Sequence, residues 1–229
     1  MRLRHLLLGL GALVSIGRVL PAQALTPFQR QKAERMLREQ LGCLGCHQLG
    51  GQGGKLAPPL DNVRARRDPG YIAAIITNPG RVRPGAVMPR LVMPDRDRAL
   101  IIRYLGGDPT AVTVPPSPLP VAVPSDTSAS RLYASWCAGC HGAKGKGDGP
   151  NATSLPVPPA RHADAATTSL RSDDSLFDTI AGGGAIMNRS ARMPAFGGSL
   201  SPTEIRGLVR YIRTLCQCQG PLWSRGGAG

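Results

Sequence analysis

The pattern that most constrains this chain is Cys-x-x-Cys-His, which occurs twice, as Cys43-Leu44-Gly45-Cys46-His47 and as Cys137-Ala138-Gly139-Cys140-His141. Two thiols at this spacing can each add to one vinyl group of the same porphyrin, while the adjoining histidine reaches the iron as proximal ligand. The pattern therefore implies two covalently attached haem c groups, with iron held by His47 and His141. Two other chemistries use Cys-x-x-Cys. A structural zinc ion wants four Cys or His ligands per site, and a thioredoxin-like redox pair does not need the histidine that follows both copies.

The N-terminus, Met1-Arg2-Leu3-Arg4-His5, is basic, and an apolar run from Leu6 to Ile16 leads to Ala22-Gln23-Ala24. This reads as a secretory signal peptide over residues 1–24, because the apolar run is too short to span a bilayer. The expected compartment is the periplasm, which suits covalent haem attachment and permits disulfides.

With 28 Lys+Arg against 14 Asp+Glu the net charge is +14. An exported chain rarely meets nucleic acid, and the arginines are scattered, so nucleic-acid binding is set aside. An acidic redox protein is the better partner, and the charge also suits peripheral association with an anionic membrane surface. Aromatic residues make up only 4% of the chain, too few for two ordinary cores. A buried porphyrin in each half would supply the missing apolar mass.

A proline-rich bridge, residues 108–130, divides the mature chain into residues 25–107 and residues 131–218, with the first helix of the second part free to begin inside the end of the bridge. Proline at this density favours an extended spacer. The flanking parts repeat one plan. Thr26-Pro27-Phe28-Gln29 is a capping box that opens a helix leading to the first motif, and Leu132, Tyr133 and Trp136 mark its counterpart before the second. Gly/Pro loops follow, then middle helices from Pro69 to Thr77 and from Asp173 to Ala181. Terminal helices match as Leu100-Ile101-Ile102-Arg103-Tyr104-Leu105 and Gly207-Leu208-Val209-Arg210-Tyr211-Ile212. Ser201-Pro202-Thr203-Glu204 is a second capping box, with Leu200 and Ile205 placed as a hydrophobic staple. No strand pattern interrupts either part, so the fold class is all-α. Residues 219–229 read as a flexible tail that contains Trp223.

The sixth position on each iron separates electron transfer from catalysis. Besides the two proximal histidines the mature chain contains only His162, expected at the surface near the haem, so methionine is the natural distal ligand. Met193-Pro194 precedes the last helix. Met88-Pro89 precedes the corresponding helix of the first half and is preferred over Met93-Pro94, because Pro94-Asp95 looks like the start of that helix. Met187 suits core or loop packing.

Both halves resemble class I cytochrome c domains, and the pair resembles a two-domain dihaem cytochrome c, from Thr26 to Leu215. Gly54-Lys55-Leu56-Ala57-Pro58-Pro59-Leu60 is similar to the family segment whose proline carbonyl accepts a hydrogen bond from the proximal histidine, which assigns that role to Pro58. Pro158 or Pro159 fills the corresponding place in the second half. Met193-Pro194-Ala195-Phe196-Gly197-Gly198 matches the family's distal-ligand loop, whereas Met88-Pro89-Arg90 lacks its aromatic residue and glycines. The resemblance implies electron transfer between a periplasmic donor and a terminal oxidase or other acceptor. Two alternatives remain: a dihaem oxidoreductase of peroxidase or thiosulfate dehydrogenase type, and a cytochrome subunit of a dehydrogenase complex. Catalysis would need an open iron or a ligand such as His162, Cys216 or Cys218. The last two stand one residue apart, where a mutual disulfide would be strained.

Overall fold

Thr26 caps the first helix. Its Oγ1 accepts from the amide of Gln29 at 3.2 Å while Gln29 Oε1 accepts from the Thr26 amide at 3.0 Å, so two orphan donors of helix α1 (Pro27–Arg35) are satisfied at once. The computed structural model describes residues 24–107 and 128–225. The segment expected to be a signal peptide, apart from Ala24, and most of the proline-rich bridge lie outside the described residues.

Helix α1 continues into a π-helical turn, Met36–Gln40, which buries Met36 and Leu37 immediately ahead of the first Cys-x-x-Cys-His. The second half repeats the device: α6 (Ala129–Leu132) runs into a π-helical turn, Tyr133–Cys137, and on into α7 (Ala138–His141). A π turn carries one extra residue and is favoured at functional positions. Here it rotates the chain just before each attachment motif. Helix α6 also begins at Ala129, inside the end of the bridge.

After the first motif, β1 (Gln48–Leu49) pairs antiparallel with β2 (Gln52–Gly53) in the register Gln48 to Gly53. Gly50 and Gly51 both have positive φ, 61° and 74°, the combination that a two-residue hairpin turn demands. This small ladder departs from the strand-free expectation, and glycine is the reason it can form. Three helices follow, α2 (Val63–Arg66), α3 (Pro69–Thr77) and α4 (Pro79–Val82), and Asp68 caps α3 by accepting from the Gly70 amide at 2.7 Å. The half closes with α5 (Asp95–Gly106), which packs on α1 and α3. Its core gathers Ala33, Met36, Leu37, Leu44, Ile72, Leu100, Ile101 and Leu105.

The second half adds α8 (Ala165–Thr168), α9 (Asp173–Gly182) and α10 (Pro202–Cys216). Ser201 and Glu204 form the second capping box, and Leu200 and Ile205 are both buried beneath it. Helix α10 packs on α6 and α9. Its apolar stripe of Ile205, Leu208, Val209 and Ile212 meets Leu132, Tyr133, Leu176, Ile180 and Phe196. Burying one such leucine is worth about 2 kcal/mol.

Beyond α10 the chain folds back instead of trailing away. Cys216 and Cys218 form a disulfide, with Gln217 between them in left-handed conformation at φ 50°. Ser224 Oγ donates to the carbonyl of Pro221 at 2.8 Å and Arg225 Nε to that of Gly220 at 2.6 Å. Residues 220–225 form a hydrogen-bonded turn within the segment expected as a tail, of which residues 226–229 lie outside the described residues, and Trp223 itself stays exposed. The fold is mostly helical, in two repeated halves.

Candidate functional site

The first Cys-x-x-Cys-His follows its π turn after Leu41 and Gly42, and the second begins on Cys137, the last residue of its π turn. Gly42, at φ 68°, breaks the first helix, and the next turn brings the amide of His47 to the carbonyl of Cys43 at 3.0 Å. In the second half the motif stays helical until Gly142, at φ 77°. The loop beyond it wraps back over the motif, with the Gly147 amide donating to His141 O at 2.8 Å and the Asn151 amide to Gly139 O at 3.0 Å.

All four motif cysteines are free thiols. Burial raises the Cys43 and Cys137 thiols to about 12 and the Cys46 thiol to about 11. The direction of the shift at these three positions is opposite to the depressed values of redox-active thiolates. Among the described residues, no group of three or more His, Cys, Asp or Glu is arranged to hold a metal ion.

The histidines are prepared as neutral ligands. His47 Nδ1 donates to Pro58 O at 2.6 Å and His141 Nδ1 to Ala160 O at 2.9 Å. A carbonyl cannot donate, so the proton must sit on Nδ1, which leaves the Nε2 lone pair available to a metal. Burial lowers the pKa of both rings and keeps them uncharged. Ala160, not Pro158 or Pro159, is the acceptor in the second half. Proline and alanine carbonyls are equivalent acceptors, so position along the loop decides which one serves. Two cysteines outside any disulfide beside an imidazole with a free Nε2 suit a ring-held iron, so the residues present fit a covalently attached haem in each half.

His162 is half-buried, stacked on His141 with ring centroids 4.1 Å apart and planes inclined by 14°. Its Nδ1 is bonded to the Tyr133 hydroxyl at 2.9 Å. It is thus packed against the proximal ring rather than lying at the surface. Met88 and Met193 both stand in irregular chain ahead of the terminal helices, and both are half-buried. Met193 is fixed at its backbone, its carbonyl accepting from the Gly184 amide at 2.9 Å. Helix α5 begins only at Asp95, with Pro94 as its cap, so Met93 precedes the helix instead of being absorbed by it. Arg98 Nη2 donates to the Met93 carbonyl at 3.1 Å and pins that residue to the helix start.

The two motifs meet across the boundary between the halves. Burial dominates the raised Cys46 value, and the Cys140 thiol of the other half adds to it. Asn151, only 1% exposed, donates through Nδ2 to Gly45 O at 2.7 Å and accepts at Oδ1 from the Lys55 amide at 2.7 Å. A Cβ on Gly42 would stand 2.7 Å from Pro194 Cα, and one on Gly45 would strike the carbonyl of Arg192. The segment around Met193 therefore rests on the first attachment motif. The Arg90 amide donates to Ser199 Oγ at 2.7 Å and joins the chain after Met88 to the chain after Met193. Nothing in the sequence singled out Asn151, Ala160, Arg192 or Ser199. Each acts through a partner distant along the chain, and no local spacing announces that.

Residues 34–106 match the cytochrome c family, and residues 124–212 match cytochrome C oxidase, cbb3-type, subunit III. No curated protein matches the chain. Among solved structures, a chain of the Kuenenia stuttgartiensis reducing HAO-like protein complex is 17% identical, covering 85% of this chain and 98% of its own, with a TM-score of 0.33.

Proposed function

Because the chain is a tandem of two cytochrome c domains, which imply haem-based electron transfer, we propose that it is a dihaem carrier. It takes electrons from one periplasmic or membrane redox partner and delivers them to another. The observation that carries this reading is the repetition of one constellation: two cysteines outside any disulfide and a neutral imidazole whose Nδ1 is tied to a backbone carbonyl, once in each half. Haem iron, when bound, supplies a one-electron Fe(II)/Fe(III) couple.

Cys43 and Cys46, and in the second domain Cys137 and Cys140, would hold the porphyrin as thioethers. His47 and His141 would offer Nε2 to the iron, kept in that tautomer and orientation by Pro58 O and Ala160 O. Met88 and Met193 would supply a second, thioether ligand, which would favour the reduced state and suit delivery to an oxidase. The leader over residues 1–24 directs the chain to the periplasm. Its basic balance favours an acidic protein partner, and the likeness of residues 124–212 to an oxidase subunit supports a terminal oxidase, or a dehydrogenase on the donor side.

The enzyme alternative loses support from the residues it would have to recruit. His162 is engaged by Tyr133 and stacked on His141, and Cys216 and Cys218 are joined to each other. The test is to purify the mature protein, denature it and weigh it. Two haem masses are expected, and a single one would sink the tandem reading. The reduced native protein should then bind no carbon monoxide at neutral pH. Stoichiometric binding at one haem, with turnover of peroxide or thiosulfate, would promote the enzyme reading.

A further inference from the structure

Asn151 is a buried polar side chain whose two shortest hydrogen bonds leave its own domain. It stands in the loop that covers the second motif, and every polar atom it has is used. Its amide donates to Gly139 O within the second motif at 3.0 Å, and its carbonyl accepts from the Ser154 amide at 3.0 Å. The side chain crosses to the other domain, where Oδ1 accepts from the Lys55 amide and Nδ2 donates to Gly45 O, both at 2.7 Å. Nδ2 also lies 3.4 Å from Cys140 Sγ, within hydrogen-bond range of a sulfur acceptor. An asparagine is buried at this depth only where all its hydrogen bonds are made.

The arrangement is asymmetric in a useful way. Cys140 Sγ is an attachment atom of the second motif, and Gly45 is bonded directly to Cys46, an attachment residue of the first. A thioether sulfur keeps lone pairs, so attachment of the porphyrin leaves it able to accept from Nδ2. Glycine at 45 and 54 permits the approach, since a Cβ on Gly54 would stand 2.7 Å from Asn151 Nδ2 and would strike Gly45 O.

We propose that Asn151 is the positioning residue that locks the two attachment motifs together and provides, through Cys140 Sγ, Asn151 Nδ2 and Gly45 O, the hydrogen-bonded bridge for electron exchange between the two domains. The exchange moves one electron, oxidising the iron on one side and reducing the iron on the other; no bond is made or broken and no proton moves. This deepens the carrier reading and rests on it.

The experiment uses the full mature holoprotein and two substitutions that attack the bridge from opposite sides. Asn151→Leu keeps the volume and removes every side-chain hydrogen bond. Gly54→Ala keeps the asparagine but drives a methyl between Asn151 Nδ2 and Gly45 O, forcing the two apart. Haem content by mass and the absorption spectrum of each domain are read first, then interdomain electron exchange after pulsed reduction, and calorimetric unfolding. Both variants are expected to retain two haems and unaltered spectra, to exchange electrons at least tenfold more slowly, and to split one cooperative unfolding transition into two. Two haems with exchange unchanged in both variants would overturn the bridge while leaving the carrier reading intact. A wild-type protein with one haem would overturn the carrier reading and the bridge with it.

Discussion

Arg192 Nη1 donates to the carbonyl oxygen of Arg38 at 3.0 Å, fastening the residue next to Met193 to the π turn that leads into the first Cys-x-x-Cys-His. Arg192 is lowered in pKa chiefly by burial and secondarily by Arg38 itself, so this bond holds together two groups of like charge. Replacing Arg192 with Ala removes a charged donor and leaves the Arg38 carbonyl short of a partner. A loss of about 1 kcal/mol is expected, because relief of the repulsion offsets part of the bond's worth. Chemical denaturation of the holoprotein measures it, and a variant as stable as the parent would remove Arg192 from the interface account.

The proposed distal ligands are tested by substitution. Thioether sulfur on ferric haem gives a sulfur-to-iron charge-transfer band. Met88→Ala and Met193→Ala should each remove part of it, because both side chains are half-buried in irregular chain before a terminal helix. Met93 is the competitor, since it lies just outside α5 with its carbonyl pinned by Arg98. A band diminished by Met93→Ala and untouched by Met88→Ala would transfer the role to Met93.

Arg213 ties the end of α10 to the rest of the second domain. Nε donates to Asp173 Oδ1 at 2.9 Å, Nη1 to Thr168 O at 3.0 Å and Nη2 to Arg171 O at 2.5 Å. A lysine has no planar fork and cannot serve three diverging acceptors. Arg213→Lys should therefore cost about 1–3 kcal/mol of stability, while both haems remain attached. Thermal unfolding with haem quantification reads both, and an unchanged midpoint would contradict the role.

Stability should also fall in alkali. The Tyr104 hydroxyl donates to Glu34 Oε1 at 2.8 Å, and burial, followed by this bond, pushes its pKa up to about 12. The ordinary value is near 10. Between those two values the folded protein keeps a proton that the unfolded chain has released, so stability declines as pH rises through that window. Tyr104→Phe should flatten the decline without abolishing it, because burial also raises the Tyr133 phenol. Denaturation midpoints measured at pH 9 and pH 11 give the two slopes, and identical slopes would refute the assignment.

Local patterns in the chain announce much of the architecture. Thr26 and Ser201 cap their helices because a hydroxyl, a proline and a Gln or Glu stand at fixed offsets, and those bonds close within one turn. The repeated Leu100 to Leu105 and Gly207 to Ile212 segments mark the terminal helices for the same reason. Their apolar spacing alone fixes which face is buried. The two attachment motifs are legible because their chemistry depends on neighbours only a few residues apart.

What spacing could not convey is anything settled between distant parts of the chain. The acceptor for His141 is Ala160 because the loop path, not the proline pattern, brings that carbonyl to the ring. The π turns before both motifs leave no mark on the apolar periodicity. Asn151 and Gly45 are 106 residues apart, and neither residue type at its own position suggests the other. The sequence by itself determined two helical domains and the thiols and imidazoles that each presents, since these follow from contacts within a few residues. Only the tertiary structure decided that the motifs face each other, because a buried amide must satisfy its hydrogen bonds wherever the folded chain offers partners.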